Sequence, residues 1–154
     1  MAIEVRKVEC ERDFQRLHDL FVAYEEDLPP DLRHGVVPGI ASLTDTFART
    51  NAAFLAMDDN DAIGCVAVTA LDRDTARMRH LFVMPEYRGL GAARSLVTAS
   101  IAFARDDGYR RFVLDTHKGR LNAAYALYQL LGFTESEPYG AVDYESPTFM
   151  ELLL

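Results

Sequence analysis

Apolar and polar positions alternate near the N-terminus and in three runs farther along the chain. Residues 3–8 alternate with period two, which predicts a half-buried strand. The runs 53–57, 62–70 and 76–83 are apolar and rich in residues that favour strands. Polar clusters separate these runs and favour tight turns, so the three runs predict an antiparallel meander.

Helical spacing of apolar residues appears in four other segments. These are residues 12–28, 40–49, 91–106 and 121–131. Two further strands are predicted at 112–116 and 148–154, and Gly132 stands where a left-handed residue would end the last helix. Because the sequence shows no repeat, low-complexity segment or linker, residues 1–154 are expected to form one domain with a mixed α/β fold.

Composition narrows the class of protein. The chain has 154 residues, of which 49% are hydrophobic and 26% charged, as in an ordinary globular domain. Its net charge of -8 argues against a nucleic-acid partner. No apolar run approaches the roughly 18 residues of a membrane span, and the N-terminus does not resemble a secretion signal. Cys10 and Cys65 are isolated and the histidines are scattered, so we expect no metal site and a cytoplasmic location.

The charge is unevenly distributed along the chain. Residues 73–120 hold ten basic and five acidic side chains, a local net charge of +5, whereas the remainder carries -13. Such asymmetry favours a small anionic ligand held by the middle of the chain. A solvated helix face would produce the same pattern, and charge alone leaves both interpretations open.

The segment after the meander has the chemistry of a phosphate site. A strand ends at Val83, and glycines at 89 and 91 then open a helix. Free backbone N–H groups and the positive end of the helix dipole meet there, and Arg88 adds charge. A Walker loop would need a lysine that is absent, and the dinucleotide fingerprint fails at Arg94. A glycine turn that merely starts a helix is the alternative.

Two motifs resemble the GNAT superfamily of acetyl-coenzyme A-dependent N-acetyltransferases. Arg88, Gly91 and Ala93 match its Gln/Arg-x-x-Gly-x-Gly/Ala signature. The second conserved block of the family resembles the segment containing Leu121, Ala124, Leu127, Tyr128, Gly132 and Phe133. The resemblance is strongest over residues 62–133. It implies the family's acyl-CoA N-acyltransferase fold, a mixed α/β sheet in which an antiparallel N-terminal meander leads to a splayed parallel strand pair, here 76–83 and 112–116.

By position, the resemblance implies acetyl-CoA as co-substrate and no metal. The backbone at Leu81, Phe82 and Val83 would pair with the pantetheine arm, with an amide there, that of Val83, on the thioester oxygen. The pyrophosphate would be held by backbone N–H groups at Arg88, Gly89, Gly91, Ala92 and Ala93. Many family members carry a cofactor-binding asparagine about seven residues before the catalytic tyrosine. Asn122 precedes Tyr128 by six, so either it has this role or the chain belongs to a subgroup lacking that asparagine.

The resemblance also implies a reaction. Tyr128 would act as the general acid that protonates the departing thiolate, whereas Tyr125 fits a packing role better. The protein would transfer an acetyl group to a primary amine of a small molecule or peptide by direct attack in a ternary complex. The alternative is a regulatory module that binds acyl-CoA without turnover. Arg77, where family members often carry an acid, keeps this alternative open.

The general base is not fixed by the sequence. The candidates are Glu25, Glu26, His80, Asp115 and water. His80 has a suitable intrinsic pKa. By strand alternation it would share a face with Met78 and Phe82, where a packed histidine is the common outcome.

The acceptor pocket is expected beneath the loop 29–38 and the tail segment 139–140, because these segments flank the cleft in the family. Tyr24, His34 and Tyr139 are candidate lining residues. The acidic remainder of the chain would steer cationic amines toward the site, although it would equally serve solubility. Association into a homodimer is common in the family.

Overall fold

The computed structural model describes residues 2–48, 51–142 and 144–154. Its strands are β1 (Ile3–Lys7), β2 (Ala52–Asp58), β3 (Asp61–Ala70), β4 (Thr75–Val83), β5 (Arg111–Thr116), β6 (Thr134–Glu135) and β7 (Thr148–Leu153). Its helices are α1 (Glu11–Asp27), α2 (Ile40–Thr46), α3 (Ala92–Asp106) and α4 (Asn122–Leu130), with short 3-10 helices at Pro30–Leu32 and Pro85–Tyr87. Each predicted element is present with ends shifted by a few residues. The predicted end of the second helix, Arg49, lies outside the described residues.

The strands form a mixed sheet in the order β1-β2-β3-β4-β5-β7-β6. β2, β3 and β4 form the predicted antiparallel meander, and β1, which α1 and α2 separate from it in the chain, pairs antiparallel with β2. β4 and β5 are parallel neighbours, and β7 returns antiparallel to β5. The sequence did not predict β6, because its two residues are too few to show a period.

Helices cover the sheet on both faces, and β2 shows this most directly. Its residues from Ala52 to Met57 are all buried. Phe54 packs in the cluster that contains α3 residues, whereas Leu55 packs in the cluster with α1 and α2 residues. A strand buried on both faces has a continuous apolar sequence rather than an alternating one. The sheet therefore separates two cores, one beneath α3 and α4 and one beneath α1 and α2.

Gly132 ends α4 as the sequence predicts. Its φ is +101°, in the left-handed region that favours glycine. The Gly132 N–H donates to Gln129 O at 3.1 Å, and the Phe133 N–H donates to Tyr128 O at 2.9 Å. This pair of bonds is a Schellman motif. It fixes the backbone of Tyr128 relative to the strand that follows.

Candidate active site

β4 and β5 pair along only part of their length, which opens a cleft between them. Their register runs from Thr75 opposite Arg111 to Arg77 opposite Val113. Beyond these pairs the strands separate, and a cavity of about 630 Å3 lies in the gap. The ends of α1, α3 and α4 complete its walls. The predicted splayed parallel pair is thereby confirmed.

A bulge in β4 accounts for the separation. Arg79 lies opposite Ala67 and Phe82 opposite Cys65, so two residues, His80 and Leu81, oppose the single residue between. His80 takes the strained left-handed conformation, with φ of 57°. The extra residue bends β4 away from β5.

The bulge corrects one half of the expectation that His80 shares a face with Met78 and Phe82: His80 lies on the same side as Phe82 but not on that of Met78. Met78 packs in the core beneath α3, whereas Phe82 packs in the core beneath α1. His80 lies on the α1 side, with its ring stacked on Phe21 at 4.4 Å between centroids. Simple alternation is wrong here because the inserted residue reverses the faces of the strand beyond it.

The backbone of Val83 faces the open side of β4. The neighbouring Met84 N–H donates to Ile63 O of β3 at 2.8 Å, so the Val83 N–H and C=O point away from β3. The Val83 carbonyl accepts a bond of 2.9 Å from Arg88 Nε. The Val83 amide is thus directed toward the cleft, as an oxyanion-binding donor must be.

The start of α3 forms a second wall with free amides. Gly89 and Gly91 have φ of 82° and 85°, and no side chain caps the helix at Gly91. The first-turn amides of Ala92 and Ala93 therefore lack intrahelical partners, and both residues line the cleft. Uncapped amides, small side chains and the helix dipole fit a pyrophosphate.

Arg88 connects this wall to α1. Besides its bond to the Val83 carbonyl, its Nη2 lies 2.9 Å from Asp27 Oδ2. Its guanidinium also lies 5.8 Å from the centre of the Phe82 ring. The one predicted cation of the phosphate turn is thereby held at the mouth of the cleft.

Tyr128 reaches the cleft from α4. It is buried, packs edge-on against Phe133 and lines the cavity. Its hydroxyl has no hydrogen-bond partner within the described ranges. Burial, and to a lesser extent the charge of Asp115, raise the pKa of Tyr128, so the phenol stays protonated at neutral pH. Tyr125 instead donates to Glu135 Oε2 at 2.6 Å, outside the cleft.

Asp115 is held by three donors at the floor of the cleft. Arg77 Nη2 donates at 2.7 Å, Tyr144 donates to the other oxygen at 2.8 Å, and Tyr139 also donates. Burial acts to raise the pKa of Asp115, but these hydrogen bonds and the Arg77 charge outweigh it and lower the pKa. A carboxylate engaged in this way is a poor proton acceptor.

His34 and Glu25 form a pair at the acceptor end of the cleft. His34 Nδ1 lies 2.7 Å from Glu25 Oε1, and the His34 backbone N–H donates to Glu25 Oε2 at 2.9 Å. The His34 ring lies 5.4 Å from that of His80. With the proton assigned to Nδ1 by its carboxylate partner, His34 Nε2 is left as an acceptor.

The structure separates the other candidates for the general base. Burial and the neighbouring charges of Arg79, His34 and Arg77 lower the pKa of His80 to about 3, so its ring is neutral and weakly basic. Glu26 is exposed and lies outside the cleft. Tyr24 and His34 line the cleft as expected, whereas Tyr139 lies behind it on Asp115. Asn122, the first residue of α4, lines the cleft too.

Three features of the site were not predicted. These are the coupling of Glu25 to His34, the contact of Tyr144 with Asp115, and the position of Arg79 in the cleft wall. The first two join residues from separate segments, so no local signal marks them. Arg79 was within the positive segment, but nothing in that segment distinguished it from surface arginines.

Comparison with known proteins agrees with this arrangement. The sequence model of the acetyltransferase (GNAT) family matches residues 14–133. Human N-acetyltransferase 8 is 37% identical over 93 residues, which cover 57% of this chain and 40% of that protein. This chain therefore spans well under half the length of that relative. Since the family model matches most of the chain, the protein belongs to the GNAT acetyltransferase family.

Solved structures share the fold. An acetyltransferase from Streptococcus agalactiae superposes with a TM-score of 0.77 at 23% identity, covering 99% of this chain and 98% of that one. A phosphinothricin acetyltransferase from Sinorhizobium meliloti, solved in complex with acetyl-CoA, gives 0.80 at 16% identity, covering 100% and 89%. At these identities the likeness establishes the fold.

The described residues contain neither a candidate metal centre nor a candidate membrane span. No group of three or more His, Cys, Asp or Glu side chains in these ranges is arranged to hold a metal ion. Within the same ranges, no helix is both long and apolar enough to cross a membrane.

Proposed function

We propose that this protein transfers an acetyl group from acetyl-CoA to a primary amine by direct attack in a ternary complex. One observation carries the proposal: a single cleft brings together the outward amide of Val83, the uncapped start of α3 and the protonated hydroxyl of Tyr128. These are a donor for a carbonyl oxygen, a site for a pyrophosphate and an acid for a leaving thiolate.

The co-substrate would lie along the open side of β4. The backbone at Leu81, Phe82 and Val83 would pair with the pantetheine arm as a strand would. The pyrophosphate would be held by the N–H groups of Gly89, Gly91, Ala92 and Ala93. The N–H of Arg88, which the sequence also suggested, donates to Pro85 O at 3.3 Å, so Arg88 would contribute through its charge. Asn122 would contact the same ligand from α4. Acetyl-CoA supplies the thioester that the amine attacks.

The residues of the cleft would act on charge and protons during that attack. The Val83 amide would stabilise negative charge that develops on the carbonyl oxygen. Tyr128 would protonate the departing sulfur, which its raised pKa permits because the phenol has kept its proton. The burial that raises the pKa of Tyr128 would also disfavour a thiolate formed beside it, so the basicities of the two groups rise together.

We propose His34, oriented by Glu25, as the group that accepts the proton of the attacking amine, directly or through water. This proposal is supported by the 2.7 Å contact between Glu25 Oε1 and His34 Nδ1. The contact leaves His34 Nε2 as a proton acceptor, and His34 lines the cleft. Asp115 already accepts hydrogen bonds from three donors, and burial lowers the pKa of His80 to about 3. Neither group is therefore suited to accept the proton of the amine.

The proposed function is tested by release of free thiol from acetyl-CoA with a panel of primary amines. Tyr128→Phe is expected to lower kcat by about 100-fold or more, the usual scale for loss of a general acid. Tyr125→Phe is the matched control, since it removes the same hydroxyl from the same helix outside the cleft, and it should retain wild-type turnover.

Two results would count against the proposal. Equal inactivity of the wild type and Tyr128→Phe on a broad panel, with acetyl-CoA still bound tightly, would favour the regulatory module. Equal activity of the two would leave the transfer reaction standing and remove Tyr128 from it.

A further inference from the structure

Arg79 is a cation without a partner in the wall of the cleft. It lies on β4 immediately before the bulge, is half-buried and lines the cavity. Its guanidinium makes no hydrogen bond or ion pair with any residue in the described ranges. Arg77, two residues earlier on the same face, donates instead to Asp115 at 2.7 Å. Arg77 is thus paired through Nη2, although its buried Nε has no partner among the described residues, whereas no atom of the Arg79 guanidinium is paired there.

The surroundings of Arg79 disfavour its charge. Burial, and then repulsion from Arg77, lower the pKa of Arg79, and the attraction of Asp115 offsets this only in part. An arginine does not lose its proton in proteins, so the cost of desolvation persists in the folded state. An anion placed beside the guanidinium would remove that cost.

The carboxylates of this region cannot serve as that anion. Asp115 already accepts from Arg77, Tyr139 and Tyr144. Glu25 is occupied by the backbone and ring of His34. Among the residues that the structure describes, an acceptor with a second positive charge would find no free carboxylate at this end of the cleft, and it would meet Arg79.

Other polar groups beside Arg79 are also unpaired. The Tyr24 hydroxyl has no partner within the described ranges, and its ring lies 5.7 Å from that of His80. The buried His80 Nδ1 likewise has no partner there. Arg79 and Tyr24 both offer donors. A carboxylate suits this pair best, because it carries the opposite charge and a planar guanidinium binds it through two parallel bonds.

We propose that Arg79 binds the carboxylate of the amine acceptor, so that the substrates of this enzyme are amino carboxylates rather than simple amines or polyamines. This inference rests on the proposed function. It differs from the expectation that the acidic remainder of the chain steers cationic amines to the site, because Arg79 would repel a second positive charge on the acceptor.

The test compares α-amino acids with their C-terminal amides, which keep the amine and lose the negative charge. The wild type should have a kcat/KM at least about 10-fold higher for the acids, since a hydrogen-bonded charged group is lost in the amides. Arg79→Met should abolish this preference by raising KM for the acids about 10- to 100-fold, with KM for acetyl-CoA unchanged. Arg79→Lys should restore part of it, because lysine keeps the charge without the bidentate fork.

Arg73→Met is the matched control. Arg73 is exposed in the turn between β3 and β4 and is not part of the cleft wall. Its loss changes the net charge by the same amount, so it should leave the preference for acids intact. A loss of preference in this variant would attribute the effect to overall charge and overturn the assignment to Arg79.

A binding measurement separates this inference from the proposed function. Calorimetry with coenzyme A present compares N-acetyl amino acids with their amides on the wild type and Arg79→Met. If the wild type turns over no amine but binds the acids in preference and Arg79→Met does not, the carboxylate site stands and the proposed activity fails. If acids and amides bind and react alike, or if Arg79→Met changes nothing, the carboxylate site is refuted while acetyl transfer stands.

Discussion

Replacing His80 by asparagine should make the protein less sensitive to mild acid. The His80 ring is packed among Phe21, Tyr24 and His34, and its Nδ1 is buried without a partner. Burial, followed by the charges of Arg79, His34 and Arg77, lowers its pKa from 6.5 to about 3. Asparagine is chosen because it tolerates the positive φ of this position better than most residues.

The expected size follows from proton linkage. Because the pKa of His80 is depressed in the folded state, the unfolded chain binds a proton first as the pH falls. The stabilisation is complete above pH 6.5 and is lost progressively toward the folded pKa of about 3. Each pH unit below 6.5 costs about 1.36 kcal/mol, so the contribution of His80 between pH 7 and pH 5 is about 2 kcal/mol.

Urea unfolding at pH 7 and pH 5 measures this contribution. The free energy of unfolding should fall by about 2 kcal/mol more in the wild type than in His80→Asn, because other titrating groups are common to both proteins. Phe82→Leu controls for lost packing in the same cluster and should retain the wild-type difference. If His80→Asn loses as much stability as the wild type over this interval, the ring is not held neutral by its surroundings and the reasoning is refuted.

Four further substitutions test the cleft and its supports. Gly91 and Gly108 both lie in the left-handed region with open space around a Cβ, so replacing either by alanine should lower the free energy of unfolding by about 1 to 2 kcal/mol. Only Gly91→Ala should also weaken the binding of acetyl-CoA, as measured by calorimetry. Asp115→Asn should cost about 3 kcal/mol near neutral pH. Since the pKa of Asp115 is lowered, that penalty should shrink as the pH falls below 3.8, which urea unfolding across the acid range can follow. Gly64→Ala should lower Tm, because the new Cβ would lie 2.9 Å from Phe82 O. An unchanged Tm would mean that the backbone of the bulged β3–β4 pair shifts at little cost in free energy.

The spacing of apolar residues was sufficient to predict those strands and helices in which it repeats regularly. The meander, α3 and β5 follow from apolar runs and helical spacing, and Gly132 follows from the demand of a helix end for a left-handed residue. Periodicity fails at the bulge, because one inserted residue reverses the faces of β4 and carries His80 to the α1 side. No property of His80 itself signals that insertion.

The uncapped turn at the start of α3 could be predicted from the sequence, whereas the side-chain pairs at the other end of the cleft could not. Amides at a helix start are local, so the turn from Arg88 to Gly91 marks them directly. The acceptor side depends on pairs between distant segments, as when residues of α1 and the following loop join Glu25 to His34. The same holds for Tyr139 and Tyr144, which reach Asp115 across more than twenty residues of chain.

The short pairing between β4 and β5 makes that junction a weak line through the middle of the sheet. Only the stretch from Thr75 to Arg77 joins the meander to β5 by strand pairing. A ligand that lies in the gap and contacts both strands would stabilise this junction for as long as it is bound. At a concentration 100 times its Kd, such a ligand would add about 2.7 kcal/mol to the stability of the folded state. The lifetime of this protein in a cell would then follow the supply of its co-substrate.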